Sequence, residues 1–237
     1  MDESKLISPK ESISAQFLEE TGAPNKFQDN CHEFEYIRRV KGDGNCFYRA
    51  LCFQLLESLL SNESDMQRFK DKLIRGQQEL LTAGFDESTF KDFLSTFLSV
   101  LDQLEADSCE ETLLGLFNDQ ATSDSMVRYL RLFTSAHLQN HADFFQHFVE
   151  APNLKVYCTQ EVEAMGMESD HVEILALSQA LDVSLCIISV EGSDGHLVYH
   201  NITGGSSSSL YLLYKTFHYD ILYKHRDNQQ PSFQEDF

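Results

Sequence analysis

The hydrophobic positions of this chain predict a long helical region followed by a small sheet. Between residues 47 and 59 apolar side chains recur every fourth residue, which is the spacing that buries one face of a helix. Comparable stripes continue to about residue 148, and the strongest of them runs through residues 90–104. These stripes predict several helices packed around a common core.

The pattern changes beyond Pro152. Residues 171–181 keep helical spacing, but residues 183–190 form an unbroken apolar run rich in β-branched side chains, which predicts a strand buried on both faces. Three more strands are predicted, the last two joined by a short turn: 196–202, 210–214 and 218–223. Helices first and strands last predict an α+β fold, with a small late β-sheet packed against a large helical region.

The ends of the chain differ from its middle. Residues 1–33 are polar and weakly patterned, and they predict a mobile N-terminal arm. Residues 224–237 are polar and charged, and they predict a disordered tail. The segment between them, 34–223, is long enough to bury a substantial core and is expected to form one domain. It opens with residues 34–37, a short extended or helical lead-in.

The charge of the chain limits its partners. It carries 18 Lys and Arg against 38 Asp and Glu, which gives 237 residues a formal net charge of −20. Nucleic acid and anionic membrane surfaces would be repelled, so neither is expected as a partner. A partner with a neutral or basic face fits better, although the same charge also favours solubility alone.

The cysteines indicate a reducing environment. All six are scattered singly, without the paired spacings of zinc sites or the density of a disulfide scaffold, so we expect no metal and no cofactor. No basic and apolar leader opens the chain, and no stretch approaches the length of a membrane span. We therefore expect a monomeric cytoplasmic or nuclear protein whose thiols stay available for chemistry.

The stretch 41–46, Lys-Gly-Asp-Gly-Asn-Cys, is the first candidate for chemistry. A turn of Gly, Asp and Asn stops at Cys46, where helical spacing begins, so the thiol is placed in the first turn of a helix. The unpaired N–H groups at a helix N-terminus favour a thiolate, and they can also hold an oxygen that gains charge during acyl transfer. A small buried cysteine at a helix start is the alternative, because a catalytic role requires a histidine from elsewhere.

His218 and Asp220 are the second candidate. They lie two residues apart on the last predicted strand, so their side chains point to the same face. A carboxylate beside an imidazole can hold the orientation and tautomer of the ring, as in a catalytic triad. An exposed His and Asp alternating with buried residues would give the same pattern. The chain order, with the thiol early and histidine and acid late, is that of papain-like cysteine hydrolases.

Separated segments of the chain can be compared with a known family. They are 42–50, 117–120, 168–171, 177–181 and 211–223. Together, and in this order, they resemble the otubain branch of the OTU (ovarian tumour) cysteine deubiquitinases. The resemblance covers about residues 36–223, and it rests on several independent motifs, where the Asp-Gly-Asn-Cys turn alone would only be suggestive.

The resemblance implies a papain-like OTU fold and an isopeptidase that cuts ubiquitin from lysine side chains or from polyubiquitin chains. By position it assigns Cys46 as the nucleophile, His218 as the general base and Asp220 as the third member of the triad. The implied partners are ubiquitin, polyubiquitin chains and ubiquitin-conjugating enzymes. Residues 1–33 do not match the N-terminal helix with which otubains contact a second ubiquitin or a conjugating enzyme.

The same resemblance assigns an oxyanion loop. Asp43 matches the family's oxyanion-loop aspartate, and its backbone N–H, with those of Gly44, Asn45 and Cys46, would form the anion hole. Asp43 alternatively serves the turn alone, since a carboxylate before a glycine is favoured there.

Two other functions remain open at this point. The chain could be a ubiquitin-binding or conjugating-enzyme-binding protein that acts mainly by steric means, because such binding survives in this fold when chemistry is slow. It could also be a protease for ordinary peptides, which would cleave substrates that lack ubiquitin.

Overall fold

The computed structural model of the protein describes residues 5–13, 33–191, 196–202, 204 and 209–225. Within them the chain forms eight α-helices and a six-stranded sheet, so the predicted α+β fold is confirmed. The four strands predicted late in the chain are all present, to within one residue at each end. The remainder of the predicted arm and tail lies outside the described residues, at 1–4, 14–32 and 226–237.

The helices form a layer on one side of the sheet. Their bounds are α1 Cys46–Leu59, α2 Glu63–Thr82, α3 Glu87–Ala106, α4 Glu110–Asn118, α5 Gln120–Asn140, α6 Ala142–Phe145, α7 Leu154–Tyr157 and α8 His171–Leu181. A 3₁₀ turn, Gln146–Phe148, follows α6, and a π-helical turn, Cys158–Val162, follows α7. The apolar face of α5 is covered by α2, α3 and α8, so α5 is the central helix of the layer.

The strands form one mixed sheet. Their bounds are β1 Glu11–Ser12, β2 Phe34–Arg38, β3 Ser184–Glu191, β4 His196–Ile202, β5 Ser209–Lys215 and β6 His218–Lys224. Their order is β1-β2-β6-β5-β3-β4, and β3 pairs parallel with β5 while the other pairs are antiparallel. The sheet therefore joins the two ends of the described chain, because β2 pairs directly with β6.

Residues 5–13 pack onto the domain, within the stretch for which the sequence predicted a mobile arm. Leu6 and Ile7 are buried, and the Asn118 side-chain oxygen accepts hydrogen bonds from both of their N–H groups at 2.8 and 3.0 Å. Strand β1 then extends the sheet beside β2. These nine residues belong to the domain, and two apolar side chains formed too short a pattern to reveal it.

Helix α1 is fixed directly onto the sheet. The ring of Phe47 meets that of Tyr219 edge to face, with 5.4 Å between centroids. Farther along α1, the Gln54 amide donates to the Leu222 carbonyl and accepts from the Tyr211 N–H, both at 2.9 Å. The aromatic contact places the start of α1 beside the start of β6, and the Gln54 hydrogen bonds hold the helix along the sheet.

Neither a membrane-spanning helix nor a metal-binding cluster occurs in the part of the chain that the structure describes. No helix there combines the length and hydrophobicity needed to cross a bilayer. Among the same residues, no three His, Cys, Asp or Glu side chains come together as a metal site.

Candidate active site

The two stretches singled out in the sequence meet in space. Cys46 is the first residue of α1 and His218 the first of β6, and their side chains are in hydrogen-bond contact. The Cys46 residue is 4% exposed, whereas the His218 side chain is 30% exposed. Gly42 lies against the ring, where an added Cβ would be 3.5 Å from His218 Nδ1. The thiol is thus buried beneath an imidazole that solvent and ligands can reach.

Asp220 occupies the far side of the imidazole. His218 Nε2 lies 3.0 Å from Asp220 Oδ1, which also accepts the Val40 N–H at 2.8 Å. Because a carboxylate only accepts, Nε2 is the donor in this hydrogen bond, and Nδ1 is left to interact with the thiol. The hydrogen bond to Asp220, followed by that to Cys46, raises the pKa of His218 to about 10 against the opposing effect of burial.

The loop before Cys46 is shaped by an ion pair. Asp43 Oδ1 accepts the Asn45 N–H at 3.0 Å and an Arg49 N–H at 2.9 Å. Burial opposes ionisation of Asp43, but the hydrogen bond and charge of Arg49, with the bond from Asn45, hold its pKa below the ordinary value. The Arg49 side chain is fully buried and also donates a hydrogen bond to Ser123 Oγ in the first turn of α5. The loop is therefore anchored to the central helix.

The backbone donors of this loop are not all available. The Asp43 N–H donates to the Lys41 carbonyl at 3.1 Å, and the Asn45 N–H is held by Asp43 as described. Within the described residues, the N–H groups of Gly44 and Cys46 have no acceptor. Two of the four donors predicted for the anion hole are thus engaged inside the loop, and two remain for a ligand.

Arg131, in the middle of α5, is a further residue of the site that the sequence did not reveal. Its guanidinium donates to the Gly44 carbonyl at 2.8 Å, to Asn45 Oδ1 at 2.9 Å and to the carbonyls of Val162 and Met167 at 3.0 and 2.6 Å. The residue has no solvent exposure. The one signal for it in the sequence is an arginine placed between Leu130 and Leu132 in an apolar stretch of the helix, which by itself names no partner.

A close approach of two glycines completes the loop. Gly44 has a positive φ of 75°, and a Cβ on it would lie 1.8 Å from the Gly166 carbonyl oxygen. Gly166 in turn donates its N–H to Asn45 Oδ1 at 2.9 Å. Only glycine fits at position 44, because both the backbone angle and the space exclude a side chain.

A thiol at a helix start, an imidazole in contact with it and a carboxylate on the far side of the ring form the arrangement of a thiol peptidase. A family model described as Peptidase C65 Otubain matches residues 2–224. The chain therefore belongs to the otubain family, and the resemblance noted in the sequence is confirmed.

Individual relatives and solved structures agree with this membership. Ubiquitin thioesterase OTUB2 of Mus musculus is 48% identical over 199 residues, which are 84% of this chain and 85% of the relative. Ubiquitin thioesterase OTUB1 of Homo sapiens is 43% identical over 225 residues, 92% of this chain and 83% of the relative. A solved complex of ceOTUB1 with ubiquitin aldehyde and UBC13~Ub has a TM-score of 0.81 at 26% identity, covering 93% of this chain and 94% of that chain.

Proposed function

We propose that this chain is a deubiquitinating cysteine isopeptidase, which hydrolyses the bond between the C-terminal glycine of ubiquitin and a lysine side chain. The observation that carries the proposal is the contact of Cys46 with His218, whose ring is held by Asp220. The substrate is supported by the relatives, which are named ubiquitin thioesterases, and by a structural neighbour solved with ubiquitin aldehyde.

The residues divide the reaction into two steps. His218, whose raised pKa favours the charged ring, takes the proton of the Cys46 thiol, and the thiolate attacks the carbonyl carbon of the terminal glycine. The tetrahedral intermediate collapses as the lysine amine leaves with the proton from His218, and a thioester remains on Cys46. His218 then takes a proton from water, the hydroxyl adds to the thioester carbonyl, and collapse releases ubiquitin and restores the thiol.

The oxyanion of each intermediate is assigned to the N–H groups of Gly44 and Cys46. These are the two donors of the loop without an acceptor among the described residues, and Cys46 adds the positive end of α1. Asp43 then acts through the loop: its carboxylate holds the Asn45 N–H and Arg49, which fixes the direction of the neighbouring donors. We assign it as a positioning residue.

A ubiquitin probe with a C-terminal electrophile tests the proposal. We expect the purified chain to form a stable adduct, detected as a mass increase equal to one probe, and Cys46→Ala to form none. Cys109→Ala is the matched control, because Cys109 is a partly exposed free thiol and its loss should leave the adduct unchanged. Adduct formation by Cys46→Ala, or rapid cleavage of short peptides without ubiquitin, would contradict the assignment.

A second function is supported by the structural neighbours. One was solved with UBC13~Ub and another with UBCH5B~Ub, both conjugating enzymes charged with ubiquitin. We therefore propose that this chain also binds a charged conjugating enzyme, in the cytoplasm or nucleus, where reduced thiols persist. Calorimetric titration of Cys46→Ala with a charged conjugating enzyme tests this, and no heat of binding at micromolar concentrations would refute it.

A further inference from the structure

The turn directly before His218 has a backbone conformation that its residues disfavour. Lys215 pairs with His218, so Thr216 and Phe217 form a two-residue hairpin loop, and both have positive φ, 50° and 62°. A type I′ hairpin turn requires positive φ at both central positions and favours Asn-Gly there. A β-branched residue with positive φ is uncommon, and an aromatic one is disfavoured as well. The fold alone would select other residues for this turn.

The side chain of Phe217 also contributes little to the stability of the fold. Phe217 is 64% exposed, more than any other large apolar side chain in the described part of the chain. An exposed ring removes little apolar surface from water, so it does not offset the backbone strain of the turn. Strained residues of this kind concentrate at functional sites.

The position of Phe217 relates it to one side of the reaction. In the proposed mechanism His218 gives its proton to the departing amine, so the acceptor lysine must come within hydrogen-bond reach of the imidazole. In that mechanism the ubiquitin carbonyl oxygen is held instead by the 42–46 loop, which leads into α1. Phe217 precedes His218 directly at the tip of the β5–β6 hairpin, so an exposed apolar ring is carried by the residue next to the imidazole that protonates the leaving group.

We propose that Phe217 is a specificity-determining residue for the leaving group, and that its ring binds the aliphatic stem of the acceptor lysine and the protein surface around it. The proposal rests on the proposed isopeptidase function and adds a substrate class: lysine-linked protein acceptors in preference to small leaving groups. The ring makes the same contact with the bound substrate and with the transition state, so its loss raises the Michaelis constant more than it lowers turnover.

Two variants separate the effect of the Phe217 ring from the effect of the turn conformation. Phe217→Asn removes the ring and introduces a residue that tolerates positive φ, while Thr216→Gly relaxes the neighbouring position and keeps the ring. Each is measured with ubiquitin joined to a lysine of a second ubiquitin, and with ubiquitin aldehyde, which has no lysine to release. For Phe217→Asn we expect KM for the linked substrate to rise about tenfold, the low end of the effect of one apolar contact, with kcat within about twofold.

The other measurements are expected to stay at the level of the unmodified chain. Ubiquitin aldehyde should inhibit both variants as strongly as the unmodified chain, and Thr216→Gly should keep its KM. An unchanged KM in Phe217→Asn would overturn the proposal, as would an equal rise in Thr216→Gly, which would assign the effect to the shape of the turn. A parallel loss of aldehyde binding would place the damage at the catalytic centre and also overturn it. Failure of the unmodified chain to bind ubiquitin aldehyde is a separate result, and it would refute the proposed function itself.

Discussion

The imidazole of His218 is held by Asp220, with 3.0 Å between Nε2 and Oδ1. The carboxylate oxygen is itself fixed by the Val40 N–H at 2.8 Å, just beyond the end of β2. The orientation of the ring therefore depends on the pairing of an early strand with the last one. The Asp220 carboxylate therefore links His218, on its own strand, to Val40, which lies 180 residues away in the sequence.

The first prediction concerns the carboxylate of Asp220. Asp220→Asn should lower turnover of a ubiquitin amide by about tenfold and His218→Ala by a thousandfold or more, because an amide oxygen still accepts both hydrogen bonds whereas no base replaces the imidazole. Asp220→Ala, which keeps no acceptor, should fall between them. Steady-state kcat at saturating substrate measures this, and equal losses in the three variants would count against the assignment.

The second prediction concerns the pH dependence of stability. The pKa of His218 is raised from 6.5 to about 10, first by Asp220 and then by Cys46, so the charged ring stabilises the folded state. That contribution is complete below pH 6.5 and is lost as the pH rises through about 10. The unfolding free energy of the unmodified chain should therefore fall relative to that of His218→Gln over this interval. Urea unfolding at the two ends of the interval measures the difference, and a constant difference would contradict the prediction.

The third prediction concerns the glycine of the loop. Gly44→Ala should abolish adduct formation with a ubiquitin electrophile, because its Cβ would lie 1.8 Å from the Gly166 carbonyl oxygen at a φ of +75°. Gly115→Ala is the matched control. It lies within α4 with nothing within 4 Å of its Cβ, so the change should stabilise the fold by about 0.5–1 kcal/mol. Adduct mass and thermal unfolding report the two effects, and normal reactivity of Gly44→Ala would refute the packing.

The fourth prediction concerns the link between Asn45 and Arg131. Asn45 Oδ1 accepts hydrogen bonds from Arg131 Nε, from Arg131 Nη2 and from the Gly166 N–H. Asn45→Ala should lower kcat by about a hundredfold with little change in KM, because it releases the loop that carries the oxyanion donors. Asn45→Asp keeps an acceptor for all three bonds and should recover most of the lost turnover. Recovery of kcat in Asn45→Asp would show that Asn45 positions the loop, because a general loss of folding would not be reversed by restoring one acceptor. A rise in KM without a loss of kcat in Asn45→Ala would contradict this positioning role.

The local elements were readable from the sequence because their causes are local. Apolar spacing placed a helix at Cys46, and it is there from Cys46 to Leu59. Both ends of helix α8 were predicted correctly, and the late strands were predicted from β-branched runs between turns. Alternation along the last strand also put His218 and Asp220 on one face, where they meet.

The long-range parts of the site could not be read in this way. Arg131 lies 86 residues from Asn45, and nothing in either local pattern indicates the other. The contact of Gly44 with Gly166 is also a meeting of two loops that no periodicity describes. The same holds for residues 5–13, whose docking depends on the Asn118 side chain rather than on their own pattern.

By itself, the amino-acid sequence determined the chemistry that is available: a thiol at a helix start, a histidine paired with an acid on a strand, and a family resemblance that joins them. The tertiary structure alone decided how that chemistry is held, through Arg131 behind the loop, Val40 behind Asp220 and a strained turn before the imidazole. The reason is physical. Helix and strand propensities act over a few residues, whereas the direction of a buried donor or carboxylate is set by whichever distant groups satisfy it.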